Sequence, residues 1–162
     1  MKIKHLYLSA GIPSNNKLFI MRQAVAKDAP RIISVAEGVE NFQMSEYSRG
    51  IDKEELLFWI SNPSAIVVVV SSKSDLIGYG YGHCLSKKWF YFDEFAVSPD
   101  FRNMGVGKEM YKFLREECRA RGFHVIQGIV KESQVDSLGY WTKLGFVHGS
   151  KCTWVEDWID EE

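Results

Sequence analysis

The chain has 162 residues, 46% hydrophobic and 14% aromatic, with a net charge of −1. That length suits one domain with a substantial core. The near-neutral balance excludes a global basic field for drawing in nucleic acid or anionic lipid.

Met1 to Asn16 stands apart as an N-terminal extension, and residues 17–162 read as a single domain. Met1-Lys2-Ile3-Lys4-His5 is charged and leads into no continuous apolar stretch, so a secretory signal is not expected. Ile3, Leu6, Tyr7 and Leu8 suit a short strand, and Gly11 to Asn16 a loop. The extension reads equally as a tail, an added edge strand or an oligomer contact, with a homodimer as one outcome. Leu18 to Arg22 has the pattern of the first strand of the domain. Asp28-Ala29-Pro30 starts a helix, with Asp28 at the N-cap and Pro30 in the first turn, and Gly38 ends it. Val39 to Gly50 is irregular.

Asp52 and Glu55 have the capping-box spacing and open a second helix, which Asn62-Pro63 closes. Ala65 to Ser71 is a buried strand, too short an apolar run to span a bilayer. After a hairpin turn at Ser72 to Asp75, Leu76 to Leu85 forms the next strand. Its glycines 78, 80 and 82 alternate with Ile77, Tyr79 and Tyr81, leaving one face bare for a neighbouring element or a ligand. His83 is out of that glycine register and reads as a structural residue. Cys84, Cys118 and Cys152 are widely spaced, with no Cys-x-x-Cys. This points to neither a metal site nor a disulfide framework, and to a reducing, cytoplasmic setting.

The centre of the chain runs from Phe90 to Arg121. Phe90 to Val97 is an aromatic and branched strand stopped by Ser98-Pro99. Asp100 to Gly107 is a loop, and an amphipathic helix then carries Met110, Phe113, Leu114 and Cys118 on one face. Arg119, Arg121 and Gly122 are its stop signal. A helix N-terminus behind a glycine loop, flanked by Arg102 and Lys108, suits an anion. The Walker loop is excluded because Glu109 follows Gly107-Lys108. The dinucleotide fingerprint is excluded because Met110 stands where its third glycine belongs. Phe123 to Val130 is a further strand and Gln134 to Leu144 a helix capped by Gly145. Phe146 to His148 and Cys152 to Val155 suit a final hairpin, and Trp158 and Ile159 suit pinning of the acidic tail. The order of elements predicts an α+β fold with a mixed, largely antiparallel central sheet flanked by helices and one strand–helix–strand crossover.

Arg102-Asn103-Met104-Gly105-Val106-Gly107 resembles the Arg/Gln-x-x-Gly-x-Gly/Ala motif of the GCN5-related N-acetyltransferases (GNAT). Phe95-Ala96-Val97-Ser98-Pro99 resembles that family's strand and Pro turn. Tyr140-Trp141-Thr142-Lys143-Leu144-Gly145-Phe146 resembles its second signature, an aromatic pair before x-Lys-x-Gly-Phe. The two signatures occur in the family's order, and the resemblance runs from about Leu18 to Val155. It implies a sheet splayed between the strands Phe90–Val97 and Phe123–Val130. It also implies acetyl-CoA as cosubstrate and a primary amine as acceptor, small or on a peptide or protein, with no metal. By the resemblance, the backbone of Arg102, Asn103, Met104, Gly105, Val106, Gly107 and Lys108 cradles the pyrophosphate. The backbone of Phe95, Ala96 and Val97 pairs with the pantetheine arm, which Gln134, Ser137 and Trp141 line. The first-helix region, with Glu37, Glu40, Phe42 and Tyr47, borders the acceptor.

Acetyl transfer needs an amine freed of its proton, a donor to the oxyanion and release of a thiolate. In a regular strand Tyr91, Asp93, Phe95 and Val97 share a face. Family precedent then favours Asp93 as base, acting through water, with Glu94 as the alternative if a bulge changes the register. Substrate binding alone is a comparable role for Asp93. The Val97 N–H suits the oxyanion. The family's acid position, four residues before Gly145, holds Trp141 instead of Tyr. Tyr91 or Tyr140 could substitute. The departure also keeps open a non-catalytic acyl-CoA-binding or regulatory domain of the same fold.

Overall fold

The computed structural model describes residues 7–8, 19–39, 51–153 and 155. Their strands are β1 (Tyr7–Leu8), β2 (Phe19–Gln23), β3 (Ala65–Ser72), β4 (Asp75–Cys84), β5 (Trp89–Val97) and β6 (Val125–Gln127). Their helices are α1 (Ala29–Glu37), α2 (Lys53–Ser61), α3 (Val106–Ala120) and α4 (Val135–Lys143). The strands form one sheet in the order β1-β2-β3-β4-β5-β6, antiparallel throughout except for the β5–β6 pair, which is parallel. The connection between these two is α3, the predicted crossover. From the N-terminal segment, Tyr7–Leu8 lies along Ile20 and Met21 as an edge strand.

β3 is buried on both faces, as its run of β-branched residues demands. Ile66, Val68 and Val70 enter the core under α3, and Val67 and Val69 the core under α1 and α2. Fully burying each such side chain contributes about 1.5–3 kcal/mol. α3 presents Met110, Phe113, Leu114 and Cys118 to the sheet, while Lys112, Arg115, Glu116 and Arg119 stay in water. Arg121 ends α3 and reaches the Ala65 carbonyl at 2.7 Å, tying the helix end to the start of β3.

Asp52 caps α2 as expected, accepting from the Glu55 N–H at 2.8 Å. Asp28 stands at the N-cap of α1, but its carboxylate turns backward. It accepts from the Val25 N–H at 2.8 Å and from Arg22 at 2.6 and 2.8 Å. The reason is its helical backbone (φ −82°, ψ −18°), which follows a short 3-10 turn instead of an extended residue.

Two expectations need correction. The strand expected over Phe123–Val130 is reduced to Val125–Gln127, because Gly128 meets the Phe92 ring, 2.5 Å from where a β-carbon would sit. The chain then leaves the sheet. The final hairpin is absent among the described residues, since 146–153 and 155 form no strand. Trp158, Ile159, Glu40, Phe42 and Tyr47 lie outside the described residues.

Candidate active site

β5 carries the site, and a β-bulge sets its two faces. Glu94 pairs with Tyr81 and Phe92 with Gly82, so Asp93 is the extra residue. Before the bulge, Phe90 and Phe92 face α3. After it, Phe95 and Val97 pack on that same core, while Glu94 and Ala96 turn to the α1/α2 side. The regular alternation expected for Tyr91, Asp93, Phe95 and Val97 therefore fails at its midpoint. Tyr91 and Asp93 share a face with Glu94, and Phe95 and Val97 lie across the sheet from them.

The α3 face of this region is aromatic and apolar. The bare face of β4 is filled from within: β-carbons on Gly78 and Gly80 would meet Val70 and the Phe95 ring at 2.9 and 2.7 Å. Trp141 binds α4 to the sheet, with ring centroids 4.7 Å from Phe92, 5.2 Å from Phe95, 5.1 Å from Phe146 and 5.9 Å from Tyr111. The Tyr residue at the neighbouring position, Tyr140, turns to the first turn of α3. Its hydroxyl is buried without a hydrogen-bond partner among the described residues, and a β-carbon on Gly107 would stand 2.7 Å from it. Burial pushes the Tyr140 phenol up from its ordinary value, and Tyr111 adds to this.

The loop between β5 and α3 is built for backbone approach. Arg102 folds back so that its Nε donates to the Val97 carbonyl at 3.1 Å. Asn103 and Gly105 are left-handed, at φ 59° and 79°. Asn tolerates that region better than most residues, and Gly has no steric penalty there. Arg102, Asn103, Met104, Gly105 and Lys108 are exposed, and Val106 is buried beneath them. The first N–H groups of α3 thus emerge at the end of β5, where helix geometry leaves them without internal partners. Pairing of β5 with β6 covers Trp89, Phe90 and Tyr91 only, so the two strands part before Phe95–Val97. Gln134 stands at the N-cap of α4, and Ser137 is half-buried in its first turn.

The α1/α2 face is polar where it meets the bulge. Tyr79, Tyr81 and His83 alternate along β4 and stand opposite Ala96, Glu94 and Tyr91. Tyr79 donates to Glu94 at 2.6 Å. His83 Nδ1 lies 2.9 Å from Asp93 Oδ2. From α2, Trp59 stacks on the His83 ring at 5.1 Å and 17°, and its indole N–H reaches Glu55 at 3.3 Å. Burial pushes both carboxyls of β5 above their ordinary range. For Asp93 the His83 contact opposes this and Glu55 adds to it; for Glu94 the Tyr79 hydrogen bond opposes it and Asp93 and Glu55 add. Burial also raises Tyr91, with Asp93 assisting. Among the described residues no three His, Cys, Asp or Glu side chains converge on a metal position. None of the described helices is long and apolar enough to cross a membrane.

The sequence reading missed His83, Trp59, Glu55 and Tyr79 as members of this cluster. Two signals were present: the Tyr-x-Tyr-x-His alternation, and the adjacent carboxylates Asp93-Glu94 inside an apolar strand, which a regular strand would send to opposite faces.

A largely antiparallel mixed sheet parted beside a helix N-terminus is the fold of this chain. Solved structures share it. An aminoglycoside acetyltransferase from an uncultured soil metagenomic sample, in complex with sisomicin, superposes with a TM-score of 0.72 at 17% identity, covering 88% of this chain and 97% of that one. The PaiA N-acetyltransferase of Thermoplasma acidophilum, in complex with coenzyme A, gives 0.74 at 16% identity, covering 83% and 92%. The model of the acetyltransferase (GNAT) family matches residues 32–146, and the chain belongs to that family. In sequence it is 24% identical over 135 residues to an L-methionine sulfoximine/L-methionine sulfone acetyltransferase of Pseudomonas aeruginosa, 78% of each chain being covered.

Proposed function

We propose that this protein transfers the acetyl group of acetyl-CoA to a primary amine of a small molecule, by direct attack within a ternary complex. The observation that carries this reading is the division of β5. Its end, not paired with β6, lies with the α3 N-terminus on one side of the parting, and its bulge gathers carboxylates on the other face.

In this reading the pyrophosphate lies on the N–H groups of the loop Arg102–Lys108 and the helix dipole behind them. The pantetheine arm adds to the free edge at Phe95, Ala96 and Val97 as an extra strand, with Gln134, Ser137 and Trp141 along it. The thioester then sits near the bulge, within reach of an amine from the α1/α2 side. Asp93, Glu94 and Glu55 favour an ammonium group there, and Tyr91 lines its approach. Deprotonation occurs on this face, and the amine attacks the thioester carbon. The C–N bond forms as the C–S bond breaks, and the sulfur leaves with the electron pair. The names of the relatives support small amines as acceptors.

The test is calorimetric titration with acetyl-CoA and with free CoA, followed by thiol release over a panel of amines. Binding of both, with thiol release on at least one amine, is the expected result. Binding with no release on any amine favours a regulatory acyl-CoA domain, which Trp141 in the acid position keeps as the rival. Failure to bind either CoA species refutes the reading of the loop.

A further inference from the structure

The cluster around the bulge contains one group that the reaction as so far described leaves unused. His83 is on β4, not on the strand that leads to the cosubstrate loop. Its Nδ1 is held by Asp93 Oδ2 at 2.9 Å. A carboxylate only accepts, so this ring nitrogen carries the hydrogen and Nε2 holds the lone pair. Trp59 lies nearly parallel to the ring on one side and Tyr91 tilts against it at 5.6 Å, so the plane of the imidazole is fixed. The side chain keeps 27% of its surface in solvent. Among the described residues Nε2 has no hydrogen-bond partner.

We propose that His83 is the general base for acetyl transfer and that Asp93 is its positioning residue. This rests on the N-acetyltransferase reading above. Burial lifts the Asp93 carboxyl, but its Oδ2 is already engaged by His83 at 2.9 Å, which leaves His83 Nε2 as the open lone pair of the pair. Imidazole is the side chain whose ordinary range already lies near neutral pH. The same contact helps His83: an imidazolium formed during turnover sits against the Asp93 carboxylate, with Tyr91 and Trp59 against the ring and Glu55 close enough to act on Asp93. The arrangement follows the orienter–base logic in which a carboxylate fixes the tautomer and stabilises the cation.

The step balances as follows. The acceptor R–NH3+ gives one proton to His83 Nε2, leaving a neutral amine and an imidazolium. The nitrogen lone pair forms the C–N bond and the C–S pair leaves on sulfur. The second proton lost from nitrogen ends on the CoA thiol. The imidazolium returns its proton to water. The products are the acetamide, the CoA thiol and one proton.

The experiment uses the full chain and four variants: His83→Ala, His83→Gln, Asp93→Asn and the double variant His83→Ala/Asp93→Asn. Acetyl-CoA affinity is measured by calorimetry, and kcat and KM by thiol release with the best amine. His83→Ala should lower kcat by about 100-fold or more, the range of a positioned base, with acetyl-CoA affinity unchanged. Added imidazole should restore turnover in proportion to its concentration, which no structural role of His83 would produce. His83→Gln, closer in shape, should fold like the wild type and remain as slow as His83→Ala. Asp93→Asn should slow turnover by a smaller factor, with KM for the amine little changed, because the imidazolium loses its counter-charge and the ring its orienting acceptor. The double variant should be no slower than His83→Ala. The proposal is overturned if both His83 variants keep kcat within about threefold of wild type, well short of a base's contribution. It is equally overturned if Asp93→Asn slows His83→Ala by the same factor as it slows the wild type, since Asp93 then acts directly. A wild type that binds acetyl-CoA and releases thiol with no amine overturns this proposal and the catalytic reading together.

Discussion

The two faces of the sheet are built on opposite terms. Under α3 the packing is apolar around Phe90, Phe92, Val68, Met110 and Leu114, with one buried charged residue of α3, Glu117, accepting from Gln23 at 2.5 Å. Under α1 and α2 the same strands carry buried Tyr79 and Tyr81 and half-buried His83, Asp93 and Glu94, with Tyr79 bonded to Glu94 and His83 to Asp93. The α3 side offers a ligand only backbone, through a loop and a strand edge. The other side offers ionisable side chains. In the proposed function, cosubstrate binding falls on one face and proton chemistry on the other, and the faces change over at a single inserted residue, Asp93.

Substitutions separate the faces by size and by sign. The largest effect belongs to the α3 face. Phe90→Ala, at a fully buried position, should cost about 3–5 kcal/mol, read as a lowered urea midpoint. Asp28→Ala follows at about 3 kcal/mol, since it strands Arg22 and the Val25 N–H at the start of α1. Burial opposes the Asp28 charge most, but the Arg22 and Val25 hydrogen bonds together outweigh it and hold the carboxyl below its ordinary range. Its stabilisation is therefore present above the unfolded carboxylate value and is lost as pH falls through the lower folded one.

Glu94→Gln should act with the opposite sign. Burial, with Asp93 and Glu55 nearby, raises Glu94, so its ionised form weakens the fold at neutral pH. The weakening is relieved as pH falls from the raised folded value toward the unfolded one. The variant keeps an acceptor for Tyr79 and should raise the neutral-pH denaturation midpoint, with a gain that shrinks in mild acid, while lowering turnover. An unchanged midpoint at both pH values would remove the view that this face carries charge at a cost to stability. The smallest effect is expected at Tyr140→Phe. Removing a buried hydroxyl without a partner should stabilise by about 1 kcal/mol or less in thermal unfolding, with acetyl-CoA affinity retained.

Much of this was legible where local chemistry dominates. The segment from Phe90 to Arg121 declared its strand, loop and helix, because propensity, periodicity and punctuation agree there. Helix α3 begins at Val106 and Asp52 caps α2, as their residue types require. Long-range contacts were not legible. The bulge at Asp93 depends on pairing with Gly82, and alternation alone sent Phe95 and Val97 to the wrong face. The sequence does not place His83 against Asp93 and Trp59, because these partners are distant along the chain. β6 was overestimated because its apolar pattern continues past the point where Gly128 meets Phe92.

The proposed division of labour between the faces has both substrates bound at once. Initial rates measured over a grid of acetyl-CoA and amine concentrations test this directly. Intersecting double-reciprocal lines are the result that the proposed attack within a ternary complex predicts. Parallel lines would mean that an acetyl-enzyme forms and CoA departs before the amine acts, and would contradict the account.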